Sequence, residues 1–365
     1  MTRTRSVSDI SYHISFSIFT SSNQFKMTNV LIIYTGGTIG MITDPKTGVL
    51  VPFNFDQITD NVPELKRLNY KFKVHSFDPM IDSSNMNPEV YKKLAELIEK
   101  NYDKYDGFVI LHGSDTMAYT ASALSFMIEG LKKPVILTGS QLPVNGIRTD
   151  AKENLITALE IAAEKNRGKA MVPEVCIYFD YKLFRGNRSF KYNSAQFEAF
   201  RSPNYPELAK AGVYLKFNKN DILKPHEGAV KFHKKLDSAI GILKLYPGIS
   251  PQIVKVALFA DCKAIIMETF GSGNTSTEPW FLDLLRESIN SGKIILNISQ
   301  CKVGTVELGR YETSRRLLEM GVVSGYDMSF EAAVTKLMYL LGNFKSNRKI
   351  IELLKTNLRG ELTIS

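Results

Sequence analysis

Val30-Leu31-Ile32-Ile33-Tyr34-Thr35-Gly36-Gly37-Thr38-Ile39-Gly40 carries a short, wholly apolar run straight into a polar turn rich in glycine. Five consecutive apolar residues bounded by turn formers predict a strand covered on both faces, the kind found in parallel sheets. The glycines let the chain turn tightly and bring backbone close to a neighbour or ligand without a Cβ in the way. A phosphate-binding loop would use such a turn, but it requires Gly-Lys-Ser/Thr or G-x-G-x-x-G, and neither is met here. Taken alone, the turn fits a purely structural role as well as a binding one.

Beyond this run, the same alternation of short apolar runs and amphipathic stretches repeats. Residues 107–111 predict a second strand, followed by a helix with Met117, Ala121, Leu124, Ile128 and Leu131 on one face. A strand over 134–138, a helix over about 150–164 and a strand over 174–179 come next. Residues 218–237 are polar and basic, contain Pro225 and Gly228, and show no periodicity, as expected of an interdomain linker. A second set then runs strand 240–245, helix 253–259, strand 264–269, helix 280–290 and strand 294–298, closed by helices near 313–320 and 330–341. The pattern predicts an α/β protein: a larger N-terminal parallel-sheet domain over 27–217, a linker over 218–238, and a smaller C-terminal α/β domain over 239–365. Residues 1–26 look foreign to this pattern. Their apolar stretch is broken by Ser and Thr and is too weak for an export signal, so they are expected to form a disordered leader or to precede a true start at Met27.

Composition narrows the function classes. With 365 residues, 44% hydrophobic and 23% charged, the chain can bury a large core without disulfides or metals. No apolar run reaches the roughly 18 residues of a membrane span. The net charge of +9 raises the question of nucleic acid, but the basic runs are only pairs (Lys132-Lys133, Lys234-Lys235, Arg315-Arg316) with acids interspersed. A solvated basic surface is the expectation, with neither nucleic acid nor membrane as partner. Cys176, Cys262 and Cys301 form no CxxC, which suits a reducing compartment, and the apolar surroundings of Cys176 and Cys262 predict core positions. The five histidines show no HExxH or clustered spacing, so a metal site is not expected.

Ligands in open α/β sheets bind beyond the carboxyl ends of the strands, and three polar turns are expected there. Besides the Thr35–Gly40 turn, these are His112-Gly113-Ser114-Asp115-Thr116-Met117 and Phe184-Arg185-Gly186-Asn187-Arg188-Ser189-Phe190-Lys191. Singly, Ser114 or Asp115 reads as a helix cap and Lys191 as a surface lysine. Jointly they supply hydroxyls (Thr38, Ser114), a carboxylate (Asp115) and an amine (Lys191). A hydroxyl nucleophile needs a neighbour to take its proton, a buried lysine can be that neighbour, and a carboxylate can orient it.

With Leu137-Thr138-Gly139-Ser140-Gln141-Leu142-Pro143, Tyr246-Pro247-Gly248-Ile249-Ser250 and Asn357-Leu358-Arg359-Gly360-Glu361-Leu362-Thr363 added, these motifs resemble the bacterial type I L-asparaginases from about residue 30 to 362. The resemblance implies the asparaginase fold and hydrolysis of L-asparagine to L-aspartate and ammonia through an acyl-enzyme. It implies Thr38 as nucleophile, with Ser114, Asp115 and Lys191 as a second hydroxyl–carboxylate–amine group. Asp115 would also bind the substrate ammonium. The stretch Asp82-Ser83-Ser84 would bind the α-amino and α-carboxylate groups, and the backbone at Ser140 would meet the amide. Asn274 would reach a neighbouring subunit's site in a homodimer or homotetramer, and the location would be cytoplasmic.

Three positions depart from the family pattern. Ser114 stands where threonine is usual, losing a methyl that fixes the rotamer. Val49, beside Leu50, occupies the position of a lid tyrosine. Glu268 and Phe190 stand where an arginine and a threonine of a regulatory asparagine pocket are expected, and only Cys301 fits. Hyperbolic rather than sigmoidal dependence of rate on asparagine concentration is the expected outcome in steady-state kinetics. Two other proteins could share these motifs. The asparaginase-like subunit of the tRNA-dependent amidotransferases would carry a further domain ahead of the first strand. A non-catalytic amino-acid sensor would be expected to lose Thr38 or Lys191.

Overall fold

In the computed structural model, residues 27–44, 46–52 and 58–364 are described. The expectation for residues 1–26 therefore lies outside the described residues.

The opening run forms the strand Asn29–Tyr34, which lies between Lys71–Ser76 and Gly107–Leu111, parallel to both. Val135–Thr138 and Val175–Phe179 continue the parallel order, and three antiparallel strands (Lys182–Arg185, Ala209–Lys210, Lys216–Phe217) complete the sheet on that side. Alternate side chains of the first strand enter opposite cores, as a period of two requires. Val30, Ile32 and Tyr34 join one apolar cluster and Leu31 and Ile33 the other. The second unit is a four-stranded parallel sheet in the order Ile240–Lys244, Ala264–Thr269, Ile294–Ser299, Val323–Ser324, again with a core on each face. The fold is the expected α/β arrangement, a larger N-terminal sheet unit followed by a smaller C-terminal one.

The helix Met117–Met127 is buried on almost every side because it lies between the large sheet and the C-terminal unit. Its Phe126 joins the C-terminal core and stacks on Tyr339 of the helix Phe330–Asn343, with ring centroids 6.1 Å apart. Small residues such as Ala118, Ala121 and Ala123 allow this close packing.

Several expectations need correction. The helix stops at Met127 rather than running through Leu131. Ile128–Glu129 is extended and pairs antiparallel with Lys231–Phe232, the Met127 carbonyl accepts from His233, and Gly130 turns the chain at φ 71°. The segment expected as a featureless linker thus carries a strand, and its Leu223 N–H donates to Glu174 at 2.8 Å. Cys176 is buried as expected, but Cys262 is only half-buried. Lys191 does not follow directly on the strand over 174–179. The chain first returns along Lys182–Arg185, with Arg185 opposite Cys176, and Arg-Gly-Asn-Arg consequently lies toward the amino edge of the parallel strands.

There, Arg185–Gly186–Asn187–Arg188 is a structural clamp. Arg185 Nε lies 2.7 Å from Glu174 Oε2 with both side chains 3% exposed, and Arg188 Nη1 lies 2.9 Å from Asp327. The Asn187 amide donates to the Arg359 carbonyl at 3.0 Å, tying the C-terminal tail to the large domain. Among the described residues, no helix is long and apolar enough to cross a membrane.

Candidate active site

The turn after the first strand is held down from both sides. Thr35 donates to the Leu111 carbonyl through its backbone (3.0 Å) and its hydroxyl (2.9 Å), and its own carbonyl accepts from Ile81. Gly36 and Gly37 take φ 137° and 92°, which disfavours any side chain. Space excludes one too. A Cβ on Gly36 would stand 2.3 Å from the Ile81 carbonyl oxygen, and one on Gly37 would stand 2.6 Å from the Gly113 nitrogen. Gly113 in turn has no room for a Cβ, which would meet Ser83 Oγ at 2.5 Å. Three chain segments, around Thr38, Ser83 and Ser114, therefore meet at the carboxyl edge of the sheet, with the Ser83 side chain against the Gly113 backbone.

Thr38 begins a short 3-10 turn, Thr38–Gly40, on top of this contact and is partly exposed. Lys191 reaches the second turn from across the helix Met117–Met127. Its Nζ lies 2.8 Å from Ser114 Oγ and 2.5 Å from Asp115 Oδ1. The lysine side chain is 18% exposed while Asp115 is 66% exposed, so the amine is sheltered and its carboxylate faces solvent. The Ser114 hydroxyl also reaches Gln141 Oε1 at 3.3 Å, and Gln141 Nε2 donates to the Gln196 carbonyl at 3.0 Å.

The remaining candidates flank this group. Asp82 caps the turn Ser83–Asn85, and the Ser84 N–H and hydroxyl hold its carboxyl below the usual carboxylate range. Ser83 is buried and its carbonyl accepts from Thr116 Oγ1 at 2.6 Å, which locks this loop to the Ser114 turn. The Ser140 hydroxyl is directed to the Leu142 carbonyl at 2.5 Å, within its own turn, leaving the backbone as what Ser140 offers a ligand. Asp150 fastens that turn by accepting from the Gln141 and Leu142 N–H groups. Asn274 is placed instead at the carboxyl end of Ala264–Thr269 in the second unit, in a tight turn closed by its carbonyl and the Phe270 N–H. Val49 is 60% exposed in the turn joining the strands Met41–Thr43 and Leu50–Pro52. Phe190, Glu268 and Cys301 line one small cavity between the two units.

Two contributors were not singled out from sequence. Gln141 lay inside a quoted motif, but a glutamine in a loop carries no signal of its own. His112 was legible as part of its turn only. It is wholly buried, and burial pushes its pKa down from 6.5 to about 4. The folded state therefore binds fewer protons than the unfolded chain between those pH values, and stability falls as pH drops through that window. His112→Asn, which cannot titrate, is expected to remove about 3 kcal/mol of that pH dependence. Urea midpoints of both proteins across pH 4 to 7 check this: the wild type should lose more stability than the variant as pH falls.

A two-domain α/β architecture with hydroxyls, an amine and a carboxylate at the carboxyl edge of its larger sheet defines the asparaginase-type hydrolases. Residues 29–223 match the family model for the asparaginase N-terminal domain, and residues 239–354 match the glutaminase/asparaginase C-terminal domain. The chain belongs to the asparaginase family, on the side of the bacterial type I enzymes. It is 42% identical over 337 residues to L-asparaginase 1 of Escherichia coli, covering 92% of this chain and 98% of that one. The 60 kDa lysophospholipase of Mus musculus is 39% identical over 364 residues, with 92% of this chain matched to 62% of that longer protein. The crystal structure of L-asparaginase I from Vibrio cholerae superimposes with a TM-score of 0.85 at 41% identity, covering 93% of this chain and all of that one.

Proposed function

We propose that this chain hydrolyses L-asparagine to L-aspartate and ammonia, with Thr38 as nucleophile and an ester to Thr38 as intermediate. The carrying observation is the sheltered amine of Lys191 at 2.8 Å from Ser114 Oγ and 2.5 Å from Asp115 Oδ1, on the turn against which Gly37 packs. As drawn, Lys191 donates to both oxygens. When Lys191 has given one proton to solvent, the Ser114 hydroxyl can turn its hydrogen to Nζ, and Ser114 then accepts a proton from the nucleophile's side. Thr38 Oγ1 bonds to the side-chain amide carbon, and the proton passes through Ser114 to Lys191. The C–N bond breaks as that proton is delivered to nitrogen, releasing ammonia. Water then adds to the acyl carbon, the bond from that carbon to Thr38 Oγ1 breaks, and a proton from the water restores the hydroxyl while aspartate leaves.

Backbone N–H groups at the Thr38 and Ser114 turns are the donors for the developing oxyanion, where each is worth on the order of 3 kcal/mol. Asp82, Ser83 and Ser84 take the α-amino and α-carboxylate groups, Asp115 shares the ammonium, and the Ser140 backbone meets the amide. Asn274 completes the site of a neighbouring subunit in a homodimer or homotetramer. The domains run 27–217 and 239–365 around a connection at 218–238, and the enzyme works in the cytoplasm without metal or other cofactor.

Purified protein is expected to release ammonia from L-asparagine at the same rate with and without a strong chelator. Absence of ammonia release overturns the activity, and abolition by chelator overturns the cofactor-free mechanism.

A further inference from the structure

We infer that His112 is a positioning residue of the hydrolytic centre, orienting the Gly113–Ser114 peptide so that the Ser114 hydroxyl and N–H face lysine and substrate. This rests on the hydrolytic reading above. His112 leaves the end of the strand Gly107–Leu111, and its N–H donates to the Thr138 carbonyl at 2.9 Å. Its ring is enclosed, with 0% exposure. One ring nitrogen, Nδ1, lies 2.6 Å from the Gly113 carbonyl oxygen, and the other, Nε2, lies 2.8 Å from Thr120 Oγ1.

These two contacts determine the tautomer. A carbonyl oxygen can only accept, so Nδ1 carries the hydrogen. In the neutral ring Nε2 is then an acceptor, and the Thr120 hydroxyl supplies its proton. Thr120 itself is fully buried on the helix Met117–Met127, so the ring is anchored to a rigid element.

The consequence lies in the next peptide. In a planar trans peptide the C=O and the following N–H point in opposite directions. Drawing the Gly113 carbonyl inward onto His112 therefore turns the Ser114 N–H outward, away from the core. The contacts of Gly37 and Ser83 with Gly113 fix where this turn sits, and the bond from His112 to the Gly113 carbonyl sets which way its peptide faces. His112 thus acts on the reaction through Ser114 and touches no substrate itself.

Three variants separate this role from simple packing. In His112→Asn the amide nitrogen stands where Nδ1 stood and keeps the donor to Gly113. In His112→Gln the amide reaches toward Thr120 and loses that donor. His112→Phe fills the space without polarity. The expected kcat is within about fivefold of wild type for His112→Asn, and roughly 10- to 100-fold lower for the other two with KM changed less than about threefold. A glutamine variant as fast as the asparagine variant, or faster, overturns the inference. Nitrogen-15 NMR of the wild-type imidazole at neutral pH gives a second test, independent of whether the variants fold. A protonated Nδ1 with bare Nε2 is expected, and the opposite tautomer overturns the inference whatever the activities. Failure of wild-type protein to release ammonia would instead remove the hydrolytic reading and leave the tautomer result standing.

Discussion

Replacing Thr38 by alanine is expected to lower kcat for L-asparagine by roughly 10⁴-fold or more, because a covalent route cannot start without its nucleophile. The loss should fall on the chemical step. Asp82, Ser83 and the Ser140 backbone are all untouched by the change, so aspartate affinity measured by calorimetry should stay within about fivefold, since truncating one partly exposed hydroxyl removes little uniform binding. The Thr38→Ser variant keeps an oxygen but loses the methyl that restricts χ1, and should fall between the two. A sensor on this fold would behave differently, with ligand response indifferent to Thr38. An alanine variant that still releases ammonia within tenfold of wild type excludes Thr38 as the attacking group.

Lys336→Met is expected to cost about 3–5 kcal/mol of stability, the range for breaking a buried ion pair from one side. Lys336 and Glu361 are both 0% exposed, with Nζ 2.5 Å from Oε1. The lysine also donates to the Leu354 and Thr356 carbonyls at 3.0 and 2.7 Å, closing the end of the helix Asn347–Leu354. Glu361 accepts from the N–H groups of Leu358 and Arg359, so it gathers the C-terminal turn around the lysine. Methionine fills the space but leaves the Glu361 carboxyl buried with its lysine partner gone. The double variant Lys336→Met/Glu361→Leu removes both charges and should recover much of the loss, because the desolvation penalty disappears with the second charge. Urea unfolding of the two variants decides it: a single variant within about 1 kcal/mol of wild type would show that the pair contributes little.

Most parallel strands were readable because an apolar run covered on both faces leaves a continuous signal, as in residues 107–111 and 264–269, whereas the parallel edge strand Lys71–Ser76, half exposed and rich in lysine, was not read. The antiparallel return over Lys182–Arg185 was not readable either. Its hairpin turns through Asp180 and Tyr181 at φ 48° and 62°, and neither is the glycine or asparagine that announces such a turn. Missing that hairpin placed Arg-Gly-Asn-Arg at the wrong edge of the sheet. The helix Pro88–Asn101 had its signal in the Asn87 cap followed by proline, yet the stretch is too charged for an apolar-run reading to notice. Of the site, the glycine turn and the Ser114-Asp115 turn were visible as strand-to-turn junctions. Lys191 lies 77 positions from Ser114 and carries no local mark; it was grouped with Ser114 and Asp115 through the expectation that three polar turns share one sheet edge, and the resemblance gave it its role. His112 and Gln141 act through contacts that depend on tertiary placement, which no local pattern encodes.

The most direct test is to quench wild-type enzyme in acid during steady-state turnover of L-asparagine and map its peptides by mass spectrometry. The account predicts an aspartyl ester on the hydroxyl of Thr38. An ester on Ser114, or steady-state turnover with no acylated peptide under conditions that trap slow-hydrolysing esters, would contradict it.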